Sequence, residues 1–233
     1  MKITGVVHEV LTGRSVPYTN AGTLSAIDKK SVIGSIKVSV EGLDGDEQGD
    51  DIHHGGIDKA VHFYVYEHYN LWRNELGGKA VLSASGAFGE NISTAGFTES
   101  DLCMGDQLLI GTALLEISQT RQPCWKLNYR FGVQNMAQRV QQSLRTGFYC
   151  RVLKPGALAA GDAIKLAARP YPDWPLQRFI ALLYHDMLDR DALTNALELS
   201  LVPSNRKIIE DRLASNTVEC WLSRIEAPAD DDA

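Results

Sequence analysis

Up to about residue 168 the chain is made of short apolar runs separated by glycine-centred turns, and no run feeds the regular strand–helix–strand alternation of a parallel sheet. Ile3 to Leu11 is rich in valine and isoleucine. Val32 to Val40 alternates, with Ile36, Val38 and Val40 on one face. Val61, Phe63 and Val65 alternate again, and Leu108 to Ile117 forms two runs broken at Gly111-Thr112. Phe148 to Leu153 reads as a buried strand. Gly105-Asp106 and Gly161-Asp162 directly precede apolar runs. Glycine supplies positive φ there and aspartate bonds back to its own backbone, so both pairs are turns that feed strands. Two helices interrupt the pattern: Glu67 to Leu76, closed by Gly77-Gly78, and Asn135 to Leu144, ending before Gly147. Many short strands in this arrangement imply a mainly β fold, a barrel or a sandwich, with a few helices.

The character changes at Ala168. Arg169-Pro170-Tyr171-Pro172-Asp173-Trp174-Pro175 is a proline-rich linker. Three amphipathic segments follow: Leu176 to Met187, Asp191 to Leu199 and Ser204 to Leu213, the last with Ser204 as its expected cap. The expected organisation is a β domain over residues 1–168, a small all-α three-helix module over 169–225, and an acidic, disordered tail over 226–233. A chain of 233 residues with 44% hydrophobic content supports such a domain with one appendage. No apolar run approaches the ~20 residues that span a bilayer. The start, Met1-Lys2-Ile3-Thr4, lacks the apolar core of a signal peptide, so the expected location is cytoplasmic, with no membrane partner.

Charge is unevenly placed. The net charge of −6 argues against nucleic acid as the main partner. Glu41 to Asp58 holds seven carboxylates and no lysine or arginine. Ile117 to Gly161 holds no carboxylate but carries Arg121, Lys126, Arg130, Arg139, Arg145, Arg151 and Lys154. A basic block inside an acidic protein is a candidate anion-binding surface; the plainer alternative is a solvated basic face.

The four cysteines, Cys103, Cys124, Cys150 and Cys220, form no CxxC pair. A disulfide framework or a zinc site of ordinary spacing is therefore not expected, and each is by default a small buried apolar residue. Cys124 departs from that default. It lies in Arg121-Gln122-Pro123-Cys124-Trp125-Lys126, where Pro123 stiffens the backbone before it. The flanking Arg121 and Lys126 favour the thiolate, which is the nucleophilic and metal-binding form. These residues alone do not distinguish a metal site from a catalytic thiol. Two further clusters suit close approach to a ligand. Asp51-Ile52-His53-His54-Gly55-Gly56-Ile57-Asp58-Lys59 has a double glycine that lets backbone come near. Gly86-Ala87-Phe88-Gly89-Glu90-Asn91 is a tight loop around one aromatic ring, equally readable as a structural turn.

Taken together, these pieces resemble the MOSC domain family, with features of its YiiM-like subgroup. The matching pieces are Gly42 to Asp46 with Glu47-Gln48, His54-Gly-Gly56 with Asp58-Lys59-Ala60, Ala87 to Asn91, Met104-Gly-Asp106, Gln119 to Asn128, and Gly147 to Val152. They follow the family's order over about residues 1–168, and the three helices resemble the α module that follows the domain in this subgroup. The resemblance implies a MOSC-type β-barrel and a pterin-based molybdenum cofactor, with Cys124 as metal ligand and catalytic residue. It implies an oxidoreductase that reduces N-hydroxylated compounds of the 6-hydroxylaminopurine type to the amine, as a detoxification. The substrate is a small molecule and the electrons come from a separate donor; a homodimer is compatible. By position, His54, Lys59, Asn91, Arg121, Lys126, Arg130 and Arg151 are the expected cofactor-binding residues, with Asp58 orienting His54 or Lys59. A cofactor carrier or sulfur-transfer protein without turnover is the alternative.

Overall fold

The computed structural model describes residues 2–19, 23–50 and 55–226, with the side chains of 2–4 left aside. In chain order its strands are β1 (Lys2–Thr12), β2 (Val16–Pro17), β3 (Leu24–Ser25), β4 (Lys30–Ser31), β5 (Ile36–Ser39), β6 (Gly42–Leu43), β7 (Val61–Val65), β8 (Ile92–Ala95), β9 (Gln107–Ile110), β10 (Ala113–Thr120), β11 (Phe148–Lys154), β12 (Gly156–Leu158) and β13 (Ala163–Ala168). Its helices are α1 (Glu67–Leu76), α2 (Lys126–Phe131), α3 (Met136–Ser143), α4 (Leu176–Tyr184), α5 (Arg190–Ala196), α6 (Pro203–Ser215) and α7 (Leu222–Ile225), with 3-10 turns at Ile57–Lys59 and Ala80–Leu82. Among the described residues, no helix is long and apolar enough to cross a membrane.

Seven strands close into a barrel. The hydrogen-bonded order is β13–β9–β10–β11–β7–β8–β1, and β1 returns to β13 through Gly5↔Ile164 and Val6↔Ala163. Closure leaves no long unpaired edge. All these neighbours run antiparallel except β7 and β8, which are parallel, so the barrel is mixed. Gly5 sits where another backbone comes close: a Cβ there would lie 2.4 Å from the Ala95 carbonyl oxygen and 2.5 Å from the Phe97 ring. Any side chain at that position would push β1 off β8.

The apolar surface is buried in two clusters. The larger fills the barrel with Phe63, Ile92, Leu108, Ile110, Ile117 and Phe148 and continues into Phe179, Ile180, Leu183, Leu193 and Ile209 of α4, α5 and α6. The helical module therefore shares one core with the barrel. The smaller cluster is aromatic and lies on the outer side of β7. Phe88 stacks on Tyr64 at 4.0 Å and meets Phe131 at 5.0 Å, with Tyr69 and Trp72 of α1 beside it. All five residues of β7 are buried because barrel lies on one side and this cluster on the other. Each large apolar side chain buried there contributes about 1.5–3 kcal/mol, so α1, the 86–91 loop and α2 are held as one unit.

The structure corrects four local readings. The alternating run from Val32 splits: Gly34 turns at φ 85°, β4 pairs with β1, and only Ile36–Ser39 forms a strand, leaving Val40 exposed. A helix, α2, follows Cys124 directly; six residues are too few to show a periodic stripe. A fourth short helix, α7, extends the C-terminal module. Finally, α6 begins after Val202 with Pro203 in its first turn and no side-chain cap, so Ser204 does not cap it. Proline suits that position because its missing N–H would have no partner there.

Candidate active site

Strand register assembles the site at one rim of the barrel. Tyr149 of β11 pairs with His62 of β7 on one side and Gln119 of β10 on the other. Their rings lie with His62 and Tyr149 centroids 4.8 Å apart. Beyond Thr120 the chain leaves the sheet as the Arg121–Trp125 loop and enters α2. Between this loop, the 86–91 loop and the segments 25–29 and 46–49 lies an open cleft of about 590 Å³. Of the four cysteines, Cys124 alone lines it, 9% exposed. None of the four forms a disulfide.

The wall opposite the cysteine is a closed polar network. Asp46 accepts from the Gly13 amide at 2.8 Å, the Lys29 ammonium at 2.5 Å and the Asn91 amide nitrogen at 2.8 Å. Asn91 also accepts from the His62 amide at 3.0 Å and donates to the Leu11 carbonyl at 3.3 Å, so its side chain ties β7, β1 and the 46–49 segment together. Burial lowers the Lys29 pKa from its ordinary value, opposed by Asp46. Next to it, the fully buried Glu90 accepts from the Gly86 amide at 2.8 Å, the Phe88 amide at 3.1 Å and the Tyr69 hydroxyl. Burial, reinforced by Glu90, holds the Tyr69 phenol protonated well above its usual range. The 86–91 loop is therefore a pinned structural element as well as a wall.

The cysteine wall is different. Arg121 and Lys126 are both 6% exposed. Lys126 donates to the Leu24 carbonyl at 2.9 Å. The Arg121 guanidinium lies near the Tyr149 phenol, whose pKa burial raises against the pull of that charge. The Nη1 of Arg121 is buried with no hydrogen-bond partner among the described residues. Tyr18 donates to the Lys126 carbonyl at 3.0 Å, and burial pushes its phenol up to about 12. At the mouth, Lys59 ends the 3-10 turn, whose Asp58 carbonyl accepts from Ser118 at 2.6 Å and Gln119 at 3.2 Å. Burial lowers the Lys59 pKa, opposed by Asp50 and Asp58.

The structure thus brings Lys59, Asn91, Arg121, Cys124 and Lys126 into one cleft. It places two expected residues elsewhere. Arg130 lies behind the 86–91 loop, donating to the Ala87 and Gly86 carbonyls at 3.0 Å and pairing with Asp28 at 3.1 Å. Arg151 pairs with Asp58 at 2.8 Å and Glu116 at 3.0 Å, so Asp58 faces Arg151. Both are drawn outward by carboxylates that sequence distance concealed. His54 lies outside the described residues. The basic block accordingly divides: Arg121 and Lys126 face the cleft, whereas Arg130, Arg145 and Arg151 sit in ion pairs. Cys103 and Cys150 are buried away from the cleft, burial raising the pKa of both thiols, and Cys220 is exposed in the helical module. Lys29 and His62 are site residues that the matching pieces did not include, and Asp46 and Tyr149 lay within them without an assigned role; strand register supplies the signal for His62 and Tyr149.

Among the described lining residues, four cations (Lys29, Lys59, Arg121, Lys126) stand against two carboxylates (Asp46, Glu47). A cationic cleft in a chain of net charge −6 concentrates an anionic ligand. Among the described residues, no group of three His, Cys, Asp or Glu side chains is placed to hold a bare metal ion. One thiol beside an excess of lining cations fits an anionic group that can accept a cysteine sulfur.

Comparison with known proteins agrees with this geometry. Residues 50–165 match the MOSC domain and residues 174–216 match the YiiM-like 3-alpha helix domain. Protein YiiM of Escherichia coli (strain K12) is 37% identical over 218 residues, covering 93% of this chain and 96% of that protein. The crystal structure of YiiM from Escherichia coli superposes with a TM-score of 0.78 at 32% identity, covering 97% of this chain and all of that one (100%). A protein named "Reductase" from Gibberella moniliformis is 35% identical over 91% of this chain, which spans 38% of its length. The chain belongs to the MOSC domain family, in the branch whose β-barrel is followed by a YiiM-like three-helix module.

Proposed function

We propose that the protein is a molybdenum-cofactor-dependent reductase of small N-hydroxylated compounds, of the 6-hydroxylaminopurine type, which it converts to the amine as a detoxification. One observation carries the reading: Cys124 lines a cationic cleft beside Arg121, whose Nη1 is buried without a hydrogen-bond partner among the described residues. A buried guanidinium nitrogen is costly unless something accepts from it. An anionic pterin phosphate satisfies that requirement, and Arg121, Lys126 and Lys59 would hold it. Cys124 would give its thiolate to the metal. The reductase name of one relative and the family membership point the same way.

When bound, the cofactor supplies the two-electron redox chemistry. The overall conversion of hydroxylamine to amine and water consumes two electrons, delivered by a separate donor protein, and two protons. Lys59 is placed to supply a proton from Nζ: it lines the cleft, and burial makes its ammonium more acidic than a free lysine. Asn91 keeps the opposite wall in position through Asp46 and His62, and Arg121 and Lys126 orient the bound anion.

The test is protein purified from a host that makes the cofactor, assayed for hydroxylaminopurine reduction with a chemical reductant and analysed for metal. Cys124→Ser should remain folded and lose the activity. Full molybdenum-dependent activity in that variant would sink the ligand assignment. Bound molybdenum without turnover in the wild-type protein would make it a carrier. Activity undiminished in a host lacking the cofactor would make it a thiol enzyme.

A further inference from the structure

The segment after Asn216 lies past the matched three-helix domain, yet it returns to the cysteine loop. Its path is fixed by Arg212, 1% exposed on α6. That side chain donates to the Leu182 carbonyl at 3.1 Å and the Leu183 carbonyl at 3.0 Å, and pairs with Glu219 at 2.7 Å. The pair pins the 217–221 stretch against the end of α4 and sets down α7 beside Cys124. There Arg224 grips the loop from both sides. Its guanidinium Nη1 donates to the Pro123 carbonyl, immediately before the cysteine. Its own carbonyl accepts the Trp125 amide at 2.8 Å, immediately after the cysteine. Its Nη2 donates to Gln141 of α3 at 2.9 Å, which anchors the grip to the barrel domain. One residue further, the Ile225 carbonyl accepts from Asn128 of α2 at 2.9 Å.

We infer that Arg224 is a positioning residue for Cys124: it holds the carbonyl before the thiol and the amide after it, so the last helical turn sets the sulfur's place in the cleft. The inference does not depend on which reaction the thiol serves. A side-chain-to-carbonyl bond from a charged donor restrains a loop more than a neutral one does, and backbone bonds on both sides of a single residue leave that residue little freedom of its own.

Thiol reactivity reads this directly. In a Cys220→Ser background, iodoacetamide labelling of Cys124 and Cys150 is followed by peptide mass spectrometry. Cys150 is wholly buried in the barrel and serves as the internal reference for general loosening. Arg224→Ala should label Cys124 about tenfold faster, the effect of losing one charge-assisted hydrogen bond, with Cys150 unchanged. Arg224→Lys, which keeps a single charged donor, should recover part of the difference. Unchanged labelling of Cys124 in folded Arg224→Ala overturns the inference, as does an equal rise at Cys150. If Arg224→Ala fails to fold, Gln141→Leu releases the same guanidinium from α3 and must raise the Cys124 rate alone; no rise there also overturns it.

Discussion

The two walls of the cleft use their cations oppositely. On the Asn91 wall, Lys29 meets a carboxylate, and Asp46 and Glu90 each gather three donors. That wall is electrostatically complete within the protein. On the Cys124 wall, Lys126 has a carbonyl in place of a carboxylate, and one nitrogen of Arg121 has no hydrogen-bond partner among the described residues. The difference traces to sequence: the stretch from Ile117 to Gly161 contains no acidic residue. Arg130, Arg145 and Arg151 of that stretch borrow Asp28, Glu75, Asp58 and Glu116 from other segments, whereas among the described residues Arg121 and Lys126 have no such ion pair.

The largest effect that could break this contrast is on the complete wall. Lys29→Met leaves Asp46 as a buried charge without its cation, and both side chains are under a tenth exposed. The expected cost is about 3–5 kcal/mol of folding stability, measured by denaturant titration. A variant as stable as the parent would show that the network is not what holds that wall. Next comes Lys59, which stands between the walls. Lys59→Met should slow turnover per bound metal by about 100-fold, the low end for a general acid. The sign with pH follows from the lowered pKa. The proton donor is present below the Lys59 pKa and is lost as pH rises through it, so the parent's rate falls on an alkaline limb that begins below the ordinary lysine value of 10.5. The variant should lack that limb; a limb unchanged in Lys59→Met assigns it to another group. The smallest effect is on the incomplete wall. Arg121→Gln removes a donor that stabilises little in the empty protein, so thermal stability should barely move. Retention of molybdenum after desalting should drop about tenfold, and more in high salt. A large stability loss with full metal content would reverse the roles assigned to the two walls.

Local pattern revealed what local pattern encodes. Glycines after Leu76 ended α1 where expected, because αL closure needs no distant partner. The alternation and turns from Ile3 to Ala168 led to a barrel or a sandwich, which the family resemblance narrowed to a barrel, and a proline-stiffened cysteine between two cations led to the cleft. What stayed hidden was long-range. Lys29 finds Asp46 from 17 residues away, and Arg224 finds Pro123 from 101. Arg130 and Arg151 were assigned to the cofactor by position, but their carboxylate partners lie 102 and 35 residues off, and only folding shows which way each side chain turns. The helix after Cys124 was missed because aromatic packing of Leu127 and Phe131, rather than a cap or a stripe, makes it form.

The seam of the barrel joins Val6 to Ala163, which sets a timetable for the molecule's birth. During synthesis the first strand emerges early but its edge partner arrives about 157 residues later, and closing so long a loop must precede any gain from the pairing. The nascent chain therefore carries an unsealed sheet until β13 leaves the ribosome. The turn that seats the cysteine comes later still, so the thiol acquires its final surroundings only after the barrel is shut.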